Sequence, residues 1–318
     1  MIYIDTKSTD VFYNFGCEYY FATEKHLSDD IFLMWATEPT LMIGKYQNTM
    51  GEIDSAYARE KNITVVRRMS GGGTIYTDLG GWQFSVITPS SGLGIEFGRF
   101  VYPVVDALCS LGLNAAATGR NDITVDGKKV SGNAQFRLSG TTVHHGSLLF
   151  DTDIHELVCA TTPKDYKITS KSIKSVRDRV TNIRDHLAHD MTHEEFRQLI
   201  VSRLTNSTYT ISNNDGERIR AISCEKFNDP KIIYASSPKF DIEKTVHTDG
   251  GTFTLGFTVK KGMICDSRIT GDFFTAEDIS GALVGVQFTP GDVSAALSEF
   301  DGVIFGATTD ELVRAIFE

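Results

Sequence analysis

Residues 67–76 read Arg67-Arg68-Met69-Ser70-Gly71-Gly72-Gly73-Thr74-Ile75-Tyr76. Three consecutive glycines follow a β-branched run and precede an apolar one. Glycine tolerates positive φ and lets a ligand approach the backbone with no Cβ in the way. The N–H groups of such a loop can converge on an anion. The two arginines offer planar forks for phosphate or carboxylate. The glycines alone would equally serve a flexible turn. With Arg-Arg and Ser ahead of them, the stretch reads as an anion or nucleotide site. It is neither a P-loop nor a GxGxxG fingerprint.

Three further stretches carry candidate chemistry, each with a plainer reading beside it. Gly119-Arg120-Asn121-Asp122-Ile123 sets an amide and a carboxylate at a strand start, where their oxygens could hold Mg²⁺. On composition alone, a loop whose Asn and Asp bond their own backbone is preferred. Lys128-Lys129-Val130-Ser131-Gly132 sends one of two adjacent lysines to each face of a strand. An inward lysine needs an anion, while an ordinary hairpin needs only solvated lysines. His144 and His145 are adjacent on a strand and face opposite ways, so they cannot share one metal ion. No Ser/His/Asp order and no HExxH pattern stands out.

These residues need elements to hold them. IFLMW (31–35), LMIG (41–44), ITVVRR (63–68) and WQFSVI (82–87) read as strands. Asp54 precedes a helix ending near Asn62. Residues 96–111 repeat apolar side chains at helical spacing up to Gly112, with Pro103 placed only if it falls in the first turn. DITV (122–125) and KKVSG (128–132) flank Asp126-Gly127, a strong hairpin signal, and TVHHGSLLF (142–150) is a further strand. Thr192 to Glu195 is a capping box opening a helix. After residue 245, TFTLGFTV and MICDSRIT flank Lys260-Lys261-Gly262 as a second hairpin, and short helices are expected near 275–283 and 308–317. Successive hairpins predict an α+β fold with a mixed, mostly antiparallel sheet and packed helices rather than a doubly wound parallel one.

The 318 residues suit two domains. The formal charge of −10 is uneven, at −7 over residues 246–318 and −3 over 1–245, which predicts a boundary near 245. An acidic chain makes a poor nucleic-acid binder. One basic stretch, residues 164–179, is an exception; it reads as a solvated loop or as a patch for a phosphate-bearing ligand or acidic partner. No apolar run is long enough to span a membrane, and the start lacks a secretory signal pattern. Five scattered cysteines without a CxxC pair fit a reducing cytosol rather than a disulfide framework or a zinc site.

RRMSGGGTIYTDLGG, GRNDITVDGKKVSGNAQ and HHGSLLF, in this order and spacing, resemble the lipoate–protein ligase A family. SKSIKSVRDRVTN (170–182) and the acidic tail fit the same resemblance, which covers nearly the whole chain. It implies the catalytic fold of biotin ligases and class II aminoacyl-tRNA synthetases over residues 1–245, and a small α+β accessory domain over 246–318. It implies activation of lipoate by ATP with Mg²⁺ to lipoyl-adenylate. Transfer then follows to a lysine on lipoyl domains of 2-oxoacid dehydrogenase E2 subunits or on glycine-cleavage H protein. By the same resemblance Lys129 is the essential lysine, and Arg68 with Ser70, Gly71, Gly72, Gly73, Thr74, Ile75 and Tyr76 binds the adenylate. His145 and Ser147 line the lipoyl site, and Asn121 and Asp122 form the Mg²⁺ region. A cytoplasmic monomer is expected.

The chain departs from the family at Thr77 and Gly81, where His and Asn are usual, and at Phe136, where an arginine is usual and Arg137 follows one place later. Residues 233–238 hold a weakened aromatic signature. Two rivals remain: an ATP-independent octanoyl or lipoyl transferase of the same fold, which would need a cysteine nucleophile, and a non-catalytic lipoate-binding module. A biotin ligase is the less favoured assignment.

Overall fold

The structure is a computed structural model of the chain, and it describes all residues except 48, 91–93, 120, 162–178, 234–241 and 318. The basic stretch 164–179 falls almost wholly, and residues 234–238 of the aromatic signature entirely, outside the described residues.

The main sheet has eight strands in the order β11 (Ser207–Tyr209), β1 (Ile2–Ile4), β2 (Ile31–Trp35), β6 (Gly81–Pro89), β10 (Thr141–Leu149), β9 (Lys128–Leu138), β8 (Asp122–Val125) and β7 (Ala115–Thr118). Only β11–β1 and β1–β2 pair in parallel. The sheet is therefore mixed and mostly antiparallel, as the hairpin signals predict.

β2 is apolar at every position because both its faces are covered. Phe32 and Met34 enter the core beneath α4 (Gly98–Cys109) and α6 (His193–Leu204). Ile31, Leu33 and Trp35 enter the core beneath α1 (Val11–Thr23) and α7 (Asn213–Lys226). Phe32 and Phe84 are fully buried, each contributing about 1.5–3 kcal/mol of transfer free energy. α6 begins at the expected capping box of Thr192 and Glu195. α4 runs through Pro103 as its sixth residue, not in its first turn.

A small second sheet, β4 (Thr64–Arg67), β3 (Thr40–Ile43) and β5 (Ile75–Thr77), carries the glycine loop between β4 and β5. It packs with α3 (Ser55–Glu60) and α5 (Ile154–Ala160), and the short helix α2 (Thr49–Glu52) adjoins it. α3 starts at Asp54, whose carboxylate accepts from the Ala56 and Tyr57 amides. Beyond α8 (Pro230–Ile233), strands β12 (Ile242–Thr248), β13 (Gly251–Lys260) and β14 (Met263–Gly271) form a third sheet, antiparallel throughout. They share a core with α9 (Pro290–Ser298) and α10 (Thr309–Phe317). The helix expected near 275–283 is only a 3₁₀ turn, Ser280–Leu283. α1, α7 and α9 were not foreseen from the sequence.

Two turns are set by their residues. Asp126 (φ 50°) and Gly127 (φ 78°) give the β8–β9 hairpin its positive-φ pair. Lys261 (φ 53°) and Gly262 (φ 81°) do so between β13 and β14. Among the described residues no helix is long and apolar enough to cross a membrane.

Candidate active site

The glycine loop and the β8–β9 hairpin open onto one cavity of about 270 Å³. Phe15, Trp35, Met42 and Ile75 give it an apolar wall, drawn from α1, β2, β3 and β5. Asn121, Asp122, Lys129, Gly132 and Asn133 give it a polar wall from the hairpin region. Arg68, Gly73, Thr74, His145, Ser147 and Phe274 complete the lining used below.

Lys129 is the second residue of β9 after the hairpin turn, and its Nζ lies 2.7 Å from Asp122 Oδ1. The backbone of Lys129 is held from its free edge as well. The Thr181 amide donates to the Lys129 carbonyl at 3.0 Å, and Val180 bridges to it in parallel. That segment is pinned in turn by His186, whose Nδ1 lies 2.9 Å from Asp126 Oδ2 and whose Nε2 lies 3.0 Å from Thr181 Oγ1.

The arginine forks are spent differently from the expectation. Arg68 is buried and donates to the carbonyls of Met42 (2.7 Å), Gly71 (2.9 Å) and Gly73 (2.7 Å), and to Ser70 Oγ (3.1 Å). Burial, and then the charge of Arg67, pushes its pKa down to about 10. Arg67 turns away from the cavity and donates to the carbonyls of Gly44, Lys45, Gln47, Ile232 and Ile233. Loop carbonyls buried away from water need donors, and the arginines supply them. Arg68 is thus the bracket of the loop as well as part of the wall.

The three glycines divide. The Gly72 amide donates to the Phe273 carbonyl at 2.8 Å. A Cβ at Gly71 would strike that carbonyl, and one at Gly72 (φ 88°) would lie 2.6 Å from the Phe274 ring. A Cβ at Gly73 would meet nothing within 4 Å. Gly71 and Gly72 therefore seat the segment after β14, and Gly73 faces the cavity. Ser70 and Tyr76 do not line it. Ser70 Oγ sits 2.6 Å from His145 Nε2, and Tyr76 packs with Leu41 and Ile43 in the core of the small sheet.

His145 faces the α1 side and His144 the α4 side, as adjacent strand residues must. His145 Nδ1 lies 3.3 Å from Glu18 Oε1, and Glu18 also accepts from Ser85 Oγ. Glu18, Asn133, Gln47 and Gln83 were missed from the sequence. Gln47 Oε1 accepts from the Gly44 amide (2.8 Å) and Thr74 Oγ1 (3.0 Å). Gln83 Nε2 donates to Thr77 Oγ1 at 2.7 Å. One signal was available for Glu18, a carboxylate in the apolar helix reading VFYNFGCEYYF.

Of the departures from the family pattern, Thr77 and Phe136 each touch a residue that lines the cavity, and Gly81 sits at the start of β6 opposite Leu149. Thr77 lies behind Gln83. Phe136 packs its ring 5.7 Å from His145, while Arg137 donates from Nε to Ser90 Oγ at 3.2 Å and does not line the cavity.

A cation carried in with a nucleotide would have two oxygens to draw on. Asn121 Nδ2 donates to the Asn133 carbonyl at 2.6 Å, which leaves its amide oxygen for the cavity, and Asp122 keeps Oδ2 beyond its pair with Lys129. The described residues contain no cluster of three acidic, His or Cys ligands. The donor set fits a cation that brings phosphate oxygens with it, as Mg²⁺ on a nucleotide does.

The profile described as "Lipoyl protein ligase A/B catalytic domain" matches residues 10–205, and "Bacterial lipoate protein ligase C-terminus" matches 237–316. The lipoate–protein ligase LplJ of Bacillus subtilis is 41% identical over 300 residues, covering 91% of each chain. The fold is shared with the lipoate complex of P. falciparum LipL1, at TM-score 0.79 and 20% identity over 98% of this chain and 97% of that one. A lipoate–protein ligase A bound with ATP superposes at TM-score 0.62 and 22% identity, over 74% of this chain and 96% of that one.

Proposed function

The chain belongs to the lipoate–protein ligase family, and on that premise we propose that it activates lipoate with ATP and passes the lipoyl group to a protein lysine. The observation that carries this reading is one cavity holding an apolar wall, the Lys129 ammonium and the open face of Gly73.

The lipoyl chain lies along Phe15, Trp35, Met42 and Ile75, with its carboxylate toward Lys129. A carboxylate oxygen attacks the α-phosphorus of ATP, the bond to the β-phosphate oxygen breaks, and pyrophosphate leaves. Two anions must meet in this step, and an ammonium placed against both offsets their repulsion. Asp122 holds Lys129 in place until the substrates arrive. Arg68 keeps the loop in shape, so that backbone near Gly73 and Thr74 can meet the phosphates without side-chain bulk. Asn121 and Asp122 would hold Mg²⁺, which supplies charge neutralisation on the phosphates. The product is a mixed anhydride, so no enzyme ester is needed. The neutral amine of the acceptor lysine then attacks its carbonyl, the amide forms and AMP departs.

The acceptors we propose are lipoyl domains of E2 subunits and glycine-cleavage H protein, and the setting a cytoplasmic monomer. We also propose a catalytic part and a small C-terminal part. Because β12 begins at Ile242 and pairs with β13, the division belongs just ahead of it, close to the charge boundary at 245. The transferase rival has little support. Among the described residues no cysteine lines the cavity; Cys109 is exposed at the end of α4 and Cys159 is buried in α5. Lipoate-dependent ATP–pyrophosphate exchange, followed by mass spectrometry of a lipoyl domain, tests the proposal. Its absence with both substrates saturating would overturn it.

A further inference from the structure

Lys129 and Asp122 meet because the β8–β9 ladder skips a residue. Ile123 pairs with Ser131 but Thr124 pairs with Lys129, so Val130 has no partner on β8. Strand residues alternate between faces, and Lys129 and Gly132 would otherwise point to opposite sides. The extra residue brings both to the cavity and leaves Val130 fully buried in the core beneath α4. Asp122 stands opposite Gly132 and lines the same cavity. The Lys129 stem reaches it by lying across Gly132, where a Cβ would be 3.3 Å from Nζ.

The resulting ion pair, at 2.7 Å, is part of the cavity wall. A carboxylate of the chain itself thus holds the ammonium that a substrate carboxylate needs. With side chains 40% and 32% exposed, the pair is a weak one and open to exchange. A divalent cation about 4 Å from a carboxylate attracts it about twice as strongly as an ammonium does, and it repels that ammonium. We infer that Asp122 is a positioning residue that changes partners: it holds the Lys129 ammonium against premature binding and releases it to the lipoate carboxylate when the cation of a bound nucleotide takes the ammonium's place. Nucleotide and lipoate then favour each other's binding, by the same factor in each direction. The inference rests on the ligase reading above.

The test is calorimetric binding of lipoate, alone and with saturating α,β-methylene-ATP and Mg²⁺. Asp122→Asn keeps the side-chain shape and removes the competing charge. It is expected to bind lipoate alone about two- to fivefold more tightly than wild type, the scale of one exposed ion pair given up. A merely structural role for Asp122 would weaken binding instead. The gain must run through Lys129, so it vanishes in the Lys129→Ala background. In wild type the analogue with Mg²⁺ raises lipoate affinity severalfold, and in Asp122→Asn it adds little further. Unchanged or weaker lipoate binding by Asp122→Asn overturns the inference. The same gain without Lys129 also overturns it, since that would be plain repulsion between two carboxylates. Where lipoate binds the Lys129→Ala background too weakly to titrate, equal enhancement by the analogue in wild type and Asp122→Asn overturns it instead. Should Asp122→Asn not fold, the absence of any mutual effect in wild type does so. Wild type that catalyses pyrophosphate exchange while Asp122→Asn shows no gain sinks this inference alone. Wild type that binds neither lipoate nor the analogue sinks the ligase reading and this inference with it.

Discussion

Replacing Lys129 by Ala separates folding from chemistry. The Lys129–Asp122 pair is short, at 2.7 Å, but the two side chains are 40% and 32% exposed. An ion pair open to solvent contributes about 0.2–1 kcal/mol. In a chain of this size that is a fall in melting temperature of about 2–4 °C at most. The effect on the reaction is of another order. A charge about 4 Å from a phosphate near a protein surface is worth roughly 4 kcal/mol, and removing one preorganised donor from a developing anion costs about 10²–10³ in rate. Lipoate-dependent ATP–pyrophosphate exchange should therefore fall at least about a hundredfold in protein whose melting curve is nearly that of wild type. Folded Lys129→Ala that exchanges within tenfold of wild type would remove Lys129 from the reaction and refute the account of charge neutralisation.

Gly72→Ala and Gly73→Ala should part company. The first puts a Cβ at φ 88° against the Phe274 ring and should cost about 1–3 kcal/mol of stability by urea unfolding, whereas the second meets open space and should lower nucleotide affinity alone; equal stability losses would contradict the division of the loop. Folded His144 has a pKa near 3, against about 6.5 for an unfolded histidine. The unfolded chain thus takes up a proton the folded one refuses as pH drops from about 6.5 toward 3, and stability should decline by up to about 1.4 kcal/mol per pH unit. Urea unfolding at pH 7 and 5.5 reads this, and the slope should flatten in His144→Phe; an undiminished slope there would assign it elsewhere. Alkylation of the exposed Cys109, Cys224 and Cys265 should leave exchange unchanged, since none lines the cavity; inactivation on alkylation would revive the transferase.

Legibility followed sequence distance. The Asp126-Gly127 turn was readable because two positive-φ residues in a row leave the backbone little choice, and the strands that flank it followed. The capping box of α6 was readable for the same local reason. Glu18 was not, because its partner His145 lies 127 residues away and only the packing of α1 on the sheet joins them. Asn133 was not legible either, because only the pairing of β9 with β10 brings Gly146 opposite it and leaves room for its amide oxygen. The arginines at the end of β4 stand out in the sequence, but backbone carbonyls claim their donors: those of Gly44, Lys45, Gln47, Ile232 and Ile233 for Arg67, and those of Met42, Gly71 and Gly73 for Arg68. Pro103 gave a misleading signal, since α4 tolerates it six residues in. The stretch 275–283, expected as a helix, forms only a single 3₁₀ turn, and its first residues are extended instead, with Thr275 bridged to Ile304 and the Ala276 amide donating to the Val303 carbonyl.

The seam between the glycine loop and the chain after β14 has a consequence for how the polypeptide can be cut. Tyr46 stacks on Phe273 at 4.7 Å, and Phe97 meets both Phe274 and Phe305 edge-on. Severed ahead of Ile242 and produced as two polypeptides, the molecule would expose these rings on both fragments. The pieces should consequently seek each other out when mixed, and exchange should reappear in proportion to their reassembly. A catalytic fragment alone would carry a loop whose Gly72 amide has lost its acceptor.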